Sequence, residues 1–123
     1  MKQITTSKAP AAIGPYSQAI VHNDTVFTSG QIPINPETGN VDAVGITAQT
    51  ETVMKNLGTV LEAAGSSFEK AIKTTCFLAD IADFAAFNEV YARYFTGKPA
   101  RSCVAVRELP RGVLVEVEVI ASI

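Results

Sequence analysis

The chain has 123 residues, 47% of them hydrophobic and 18% charged, and a formal net charge of -2. That length holds one hydrophobic core and not two, and the balance lies far from the charged, apolar-poor make-up of disorder, so a single folded domain over 1–123 is expected. The slight acidity excludes a general electrostatic pull toward nucleic acid or an anionic membrane, so any anion site has to be local.

Met1 to Lys8 lack the apolar stretch of a secretory leader, and no run reaches bilayer length, so no membrane contact and a cytoplasmic setting are expected. The first structural signal is alternation through Ala19 and Val21 and again through Thr25 to Ser29, with His22-Asn23-Asp24 between; it predicts a tight hairpin. Pro33, Pro36 and Gly39 then disfavour both helix and central strand, and predict an ordered loop. From Thr47, the residues Val53, Met54, Leu57, Val60, Leu61 and Ala64 recur at helical spacing, with Gly65 as the stop.

Ala71 to Leu78 returns to a period of two, placing Ile72, Thr74, Cys76 and Leu78 on one side of a strand. Asp80 or Asp83 can cap a second helix, whose Phe84, Phe87, Tyr91, Tyr94 and Phe95 form an aromatic stripe ended by Lys98-Pro99. Arg101 to Val106 and Val113 to Ile120 read as strands joined around Leu109-Pro110-Arg111-Gly112, which predicts a C-terminal hairpin. The expected order is ββαβαββ, an α+β domain with two helices on one face of the sheet. The last strand has large apolar groups on both sides, so its second side needs a partner.

Arg101 and Cys103 are two apart on a strand and point the same way. In a C-terminal hairpin Cys103 would stand opposite Glu116 or Glu118, bringing a cation, a thiol and a carboxylate together. The planar fork of an arginine matches a carboxylate bidentately, so a small carboxylic acid is one expected ligand. Spacing alone favours the plainer alternative, in which Arg101 pairs with Glu116 or Glu118 across the strands. With His22 the only histidine, Cys103 has no evident activating base, and Cys76 reads as a small buried hydrophobe. Two distant cysteines and one histidine give no metal-ligand spacing, and no metal site is expected. Asn88 lies on the aromatic stripe and needs a hydrogen-bond partner, either backbone or ligand. Thr96-Gly97-Lys98-Pro99 lacks the spacing of a phosphate loop, and the turns Gly14-Pro15-Tyr16-Ser17 and Ser29-Gly30-Gln31 are nonspecific by themselves.

Five segments together are much more specific: Ala9-Pro-Ala-Ala-Ile-Gly-Pro-Tyr-Ser-Gln18, Ser29-Gly-Gln-Ile-Pro33, Asn88-Glu-Val-Tyr91, Pro99-Ala-Arg-Ser-Cys-Val104 and Val115-Glu-Val-Glu-Val-Ile-Ala121. With them the chain resembles the RidA/YjgF family of enamine/imine deaminases over nearly its whole length. The resemblance implies a chorismate-mutase-like fold, a homotrimer with the sheets facing inward, and active sites in clefts between subunits. Carried over by position, Arg101 matches the carboxylate-binding arginine, and Glu116 matches the acid that positions water and moves protons. Cys103, Tyr16, Ser29, Gly30 and Asn88 fall at substrate-pocket positions, and Phe84 forms a wall. The segment with Ala105 and Arg107-Glu108 departs from the family pattern, which bears on substrate range. The implied activity is hydrolysis of 2-aminoacrylate-derived enamines and imines (2-iminopropanoate, 2-iminobutanoate) to 2-oxo acids and ammonia, with no cofactor. The implied partners are small 2-imino or 2-oxo carboxylic acids. The alternatives are a small-carboxylate-sensing regulatory trimer and the ribonuclease or holdase activities associated with the family.

Overall fold

The computed structural model describes residues 1–123. Its strands are β1 (Lys2–Ile4), β2 (Ala19–His22), β3 (Thr25–Thr28), β4 (Ala71–Leu78), β5 (Ala100–Ala105) and β6 (Val115–Ser122); its helices are α1 (Ile46–Ala63) and α2 (Phe84–Tyr94). They form one six-stranded sheet in the order β1-β2-β3-β6-β4-β5. Every pairing is antiparallel except β4 with β5. This is the expected α+β class, with two additions to the expected order. A short first strand pairs with β2, and short 3-10 turns at Phe68–Lys70, Ile81–Asp83 and Pro110–Gly112 join the later elements.

The local signals explain most of the elements. The β2–β3 hairpin turns at Asn23, which takes φ 54, a conformation asparagine tolerates. Helix α1 stops where Gly65 adopts φ 82, letting the Ser66 N–H donate to the Leu61 carbonyl at 2.8 Å and the Gly65 N–H to that of Glu62 at 2.9 Å. Asp80 accepts from the Ala82 N–H at 2.9 Å and caps the 3-10 turn that leads into α2.

One sheet face is covered by the helices. Val53, Met54, Leu57, Val60 and Leu61 of α1 bury against Val115, Val117, Val119 and Ala121 of β6, with Cys76 and Leu78 of β4 in the same core. A fully buried side chain of the larger of these types stabilises by about 1.5–3 kcal/mol. Ile72 departs from the expected pattern: the β4–β6 register shifts between Ala71 and Lys73, and the extra residue is half exposed. Across the other face run Phe27, Phe77, Thr75, Glu116 and Glu118, and Phe27 is exposed.

The expected C-terminal hairpin does not form. β5 runs parallel to β4, with Arg101 beside Thr74 and Cys103 beside Cys76, whereas β6 inserts between β3 and β4, with Glu116 beside Phe77 and Glu118 beside Thr75. The strand with the most uniformly apolar face, β6, takes the centre of the sheet, where both of its edges are hydrogen-bonded. The more polar β5 follows α2 as a β4–α2–β5 crossover and forms an edge. No helix is long and apolar enough to cross a membrane.

Candidate functional site

Strand parity splits the candidate residues into two groups. Partners in register point to the same side of a sheet, so Arg101 and Cys103 share the helix-covered side with Thr74 and Cys76. Glu116 and Glu118 lie on the open side with Phe77 and Thr75. The cation and the carboxylates therefore occupy opposite sides of the sheet in one chain, which corrects the hairpin reading that made them neighbours. The cross-strand salt bridge is also absent, since the one ion pair in the chain joins Arg93 to Glu51 at 2.8 Å.

The first group is built on Arg101. Its Nη1 donates to Asn88 Oδ1 at 2.7 Å, so the polar residue on the aromatic stripe spends its acceptor on a side chain and not on backbone. The guanidinium carbon lies 4.8 Å from the Tyr91 ring centroid and 5.4 Å from that of Phe84. Such contacts hold the guanidinium by about 0.5–2 kcal/mol while leaving its Nε and Nη2 donors without a protein acceptor. Burial pushes the Cys103 thiol above its ordinary value, and the neighbouring Arg101 charge only partly offsets this. A thiol shifted in this direction is less readily ionised, which argues against Cys103 as an activated nucleophile. Cys76 is fully buried and is pushed up to about 12 by desolvation, in keeping with a small hydrophobe.

The second group lines a cleft of about 550 Å³ that includes Tyr16, Ser29, Gly30, Ile32, Glu116 and Glu118. The Ser29 hydroxyl donates to the Ser17 carbonyl at 2.5 Å, and its N–H donates to Gln18 at 2.9 Å. Gln31 exchanges backbone hydrogen bonds with Val117 at 2.9 and 3.2 Å. These ties press Gly30 onto β6 beside Glu116. A Cβ at Gly30 would overlap the carboxylate, standing 2.8 Å from its carbon, so any larger residue here displaces Glu116. Between its bonded neighbours, the Gly30 N–H has no protein acceptor and can donate to a ligand.

Burial first, and the Glu118 charge second, raise the Glu116 carboxyl above the usual carboxylate range. Because the folded state binds that proton more tightly than the unfolded one, the ionised form costs stability at neutral pH. The cost disappears as pH falls below the unfolded value, near about pH 4. Glu116→Gln is therefore expected to melt at or above the wild-type temperature at pH 7 to 8, with the difference shrinking toward pH 4. Thermal melts across that range check it, and a lower melting temperature at pH 7 refutes the assignment.

Sequence reasoning missed Tyr91 and Thr74, whose hydroxyls lie 2.7 Å apart beneath Arg101, and Glu118 as a neighbour in the Glu116 cleft. Tyr91 had a signal, standing three residues after Asn88 on one helix face. Thr74 had none, since only the parallel register sets it beside Arg101.

Fold and side-chain placement together define a small α+β chain that displays two groups of candidate site residues on opposite sides of its sheet. A family model described as Endoribonuclease L-PSP matches residues 6–123, and the chain belongs to that family, the RidA/YjgF proteins. It is 48% identical to the mouse 2-iminobutanoate/2-iminopropanoate deaminase, over 98% of this chain and 90% of that protein. It is 51% identical to AldR of Lactococcus lactis, provisionally named a regulator, over 100% of this chain and 98% of that protein. The solved structure of RidA from the Antarctic bacterium Psychrobacter sp. PAMC 21119 superposes with a TM-score of 0.95 at 43% identity, covering 100% of both chains.

Proposed function

We propose that this chain hydrolyses reactive 2-imino acids, the tautomers of 2-aminoacrylate-type enamines, to 2-oxo acids and ammonia. The site would be completed between copies in a homotrimer whose sheets face inward. The observation behind this reading is Arg101, a half-buried cation with no carboxylate partner, held by Asn88 and two rings with donors to spare. Such a group suits the carboxylate common to 2-imino and 2-oxo acids. The mouse deaminase supports the substrate class.

In the proposed reaction Arg101 of one copy and the Gly30 N–H of an adjoining copy orient the substrate, and Glu116 of that same adjoining copy holds a water against the imine carbon. The water oxygen adds to that carbon as one of its protons passes to the nitrogen, and the C–N bond then breaks as the hydroxyl proton follows, so that ammonia leaves and the carbonyl forms. The sum is one imino acid and one water giving one oxo acid and one ammonia, a redox-neutral step that calls for no cofactor. A carboxyl that burial makes hold its proton more tightly is suited to passing protons in both halves. Tyr16, Ser29, Phe84 and Cys103 wall the pocket.

The test generates 2-iminobutanoate with a threonine dehydratase in the presence of semicarbazide. Added protein is expected to suppress semicarbazone formation and speed 2-oxobutanoate release; no change in either rate refutes the deaminase reading. The AldR name favours a second reading, a sensor of small carboxylates, for which tight binding of 2-oxobutanoate without acceleration is the signature. RNA cleavage draws no support from a cleft lined by two glutamates, with His22 exposed at a hairpin end. Nothing in the site bears on a holdase role.

A further inference from the structure

Arg101 stands on an edge strand, and a long flexible side chain there loses up to about 2 kcal/mol of rotamer freedom when fixed. Asn88 fixes one nitrogen of the guanidinium, but a single hydrogen bond does not set the plane of the group. The nearer surface that can set it is the Tyr91 ring, 4.8 Å away. That ring is itself immobilised. It stacks on Phe95 with centroids 4.6 Å apart at 27°, packs against Phe87 at 5.6 Å, and its hydroxyl lies 2.7 Å from Thr74 Oγ1. Thr74 is fully buried, and is the residue paired with Arg101 across the β4–β5 ladder. Two hydroxyls thus meet within a core of Phe87, Phe95 and Cys76, where an apolar pair of the same shape would fold about as well. They join the ring to the strand that aligns the arginine.

We infer that Tyr91, held by Thr74, is a positioning residue that sets the plane of the Arg101 guanidinium and so determines the preference for a carboxylate. The inference rests on the proposed carboxylate grip and adds what aims it. Tyr91 touches the arginine and not the reacting carbon. Losing the hydroxyl frees the ring to rock, and the guanidinium with it, so the orientation of the remaining donors is no longer fixed before the ligand arrives.

The test measures binding of 2-oxobutanoate and of its neutral amide, 2-oxobutanamide, to the intact protein and to Tyr91→Phe, Thr74→Val and the double variant. Each single change is expected to lower the acid-over-amide preference about tenfold, and the double change no further, because both remove the same hydrogen bond. In turnover, KM should rise by more than kcat falls. Thr74→Ser, which keeps the hydroxyl, should retain the wild-type preference and also serves if Tyr91→Phe fails to fold. A merely structural role weakens acid and amide in parallel; that result, an unchanged preference in folded variants, or no preference in the wild type overturns the inference. Imine turnover with unchanged variant preferences sinks this inference alone. Variant-dependent acid binding without turnover sinks the deaminase reading alone.

Discussion

Arg101→Ala is expected to lower kcat/KM for 2-iminobutanoate hydrolysis by about 10²- to 10⁴-fold, leaving the assembly and the melting temperature near wild type. The magnitude follows from two charge-assisted hydrogen bonds of about 1.5–3 kcal/mol each, at 1.36 kcal/mol per tenfold in rate. Stability should survive because Arg101 makes no ion pair and lies on an edge strand, where its removal frees only Asn88 Oδ1 in a half-buried position open to water. Arg101→Lys should recover little, because an ammonium replaces neither the planar fork nor its stacking against Tyr91 and Phe84. Steady-state rates in the dehydratase-coupled assay decide it; an alanine variant within threefold of wild type removes Arg101 from the mechanism.

The second large effect depends on the two sides of the sheet. Arg101 and Glu116 point to opposite sides in one chain, so a site that uses both has to draw them from different copies. Arg101→Ala and Glu116→Gln proteins, each inactive alone, should therefore regain activity when unfolded together and refolded as a mixture. In a closed ring of equal parts, a site is intact when its arginine comes from the glutamine variant and its glutamate from the alanine variant, which happens for about a quarter of sites. Recovery near a quarter of the wild-type rate, with neither variant recovering when refolded alone, is the expected result. A mixture as inactive as its components places the two residues in one chain's site or in none. Light scattering on the same samples reports whether the assembly is the proposed trimer.

The sequence was most informative where the physics is local. Helical spacing from Val53 to Ala64 with its glycine stop, the tight turn at Asn23 and the alternation of the strands are read from neighbours a few residues apart, and they define the α+β class. An amide on an aromatic stripe marked Asn88 as an anomaly before any fold was known, whereas spacing alone favoured a plain salt bridge for Arg101, and only the family resemblance made Arg101 and Glu116 site candidates. The five matching segments taken together identified the family that the later comparison confirms.

Which strand lies beside which was not local. β5 and β6 both alternate and are separated by a turn rich in proline and glycine, so sequence made them a hairpin. Pairing was decided instead by the burial of the Val115-to-Ala121 face under α1, which draws β6 to the centre of the sheet and leaves β5 at its edge. That single difference turned Arg101 from a partner of Glu116 into a residue on the far side of the sheet. It also set Thr74 beneath it, a neighbour 27 residues away in the chain that no spacing rule connects. By itself the sequence determined the main helices and longer strands and the family, because side-chain identity and short-range periodicity suffice for these. Only the tertiary structure decided which groups face one another, because strand order follows from minimising exposed apolar surface over the whole chain at once.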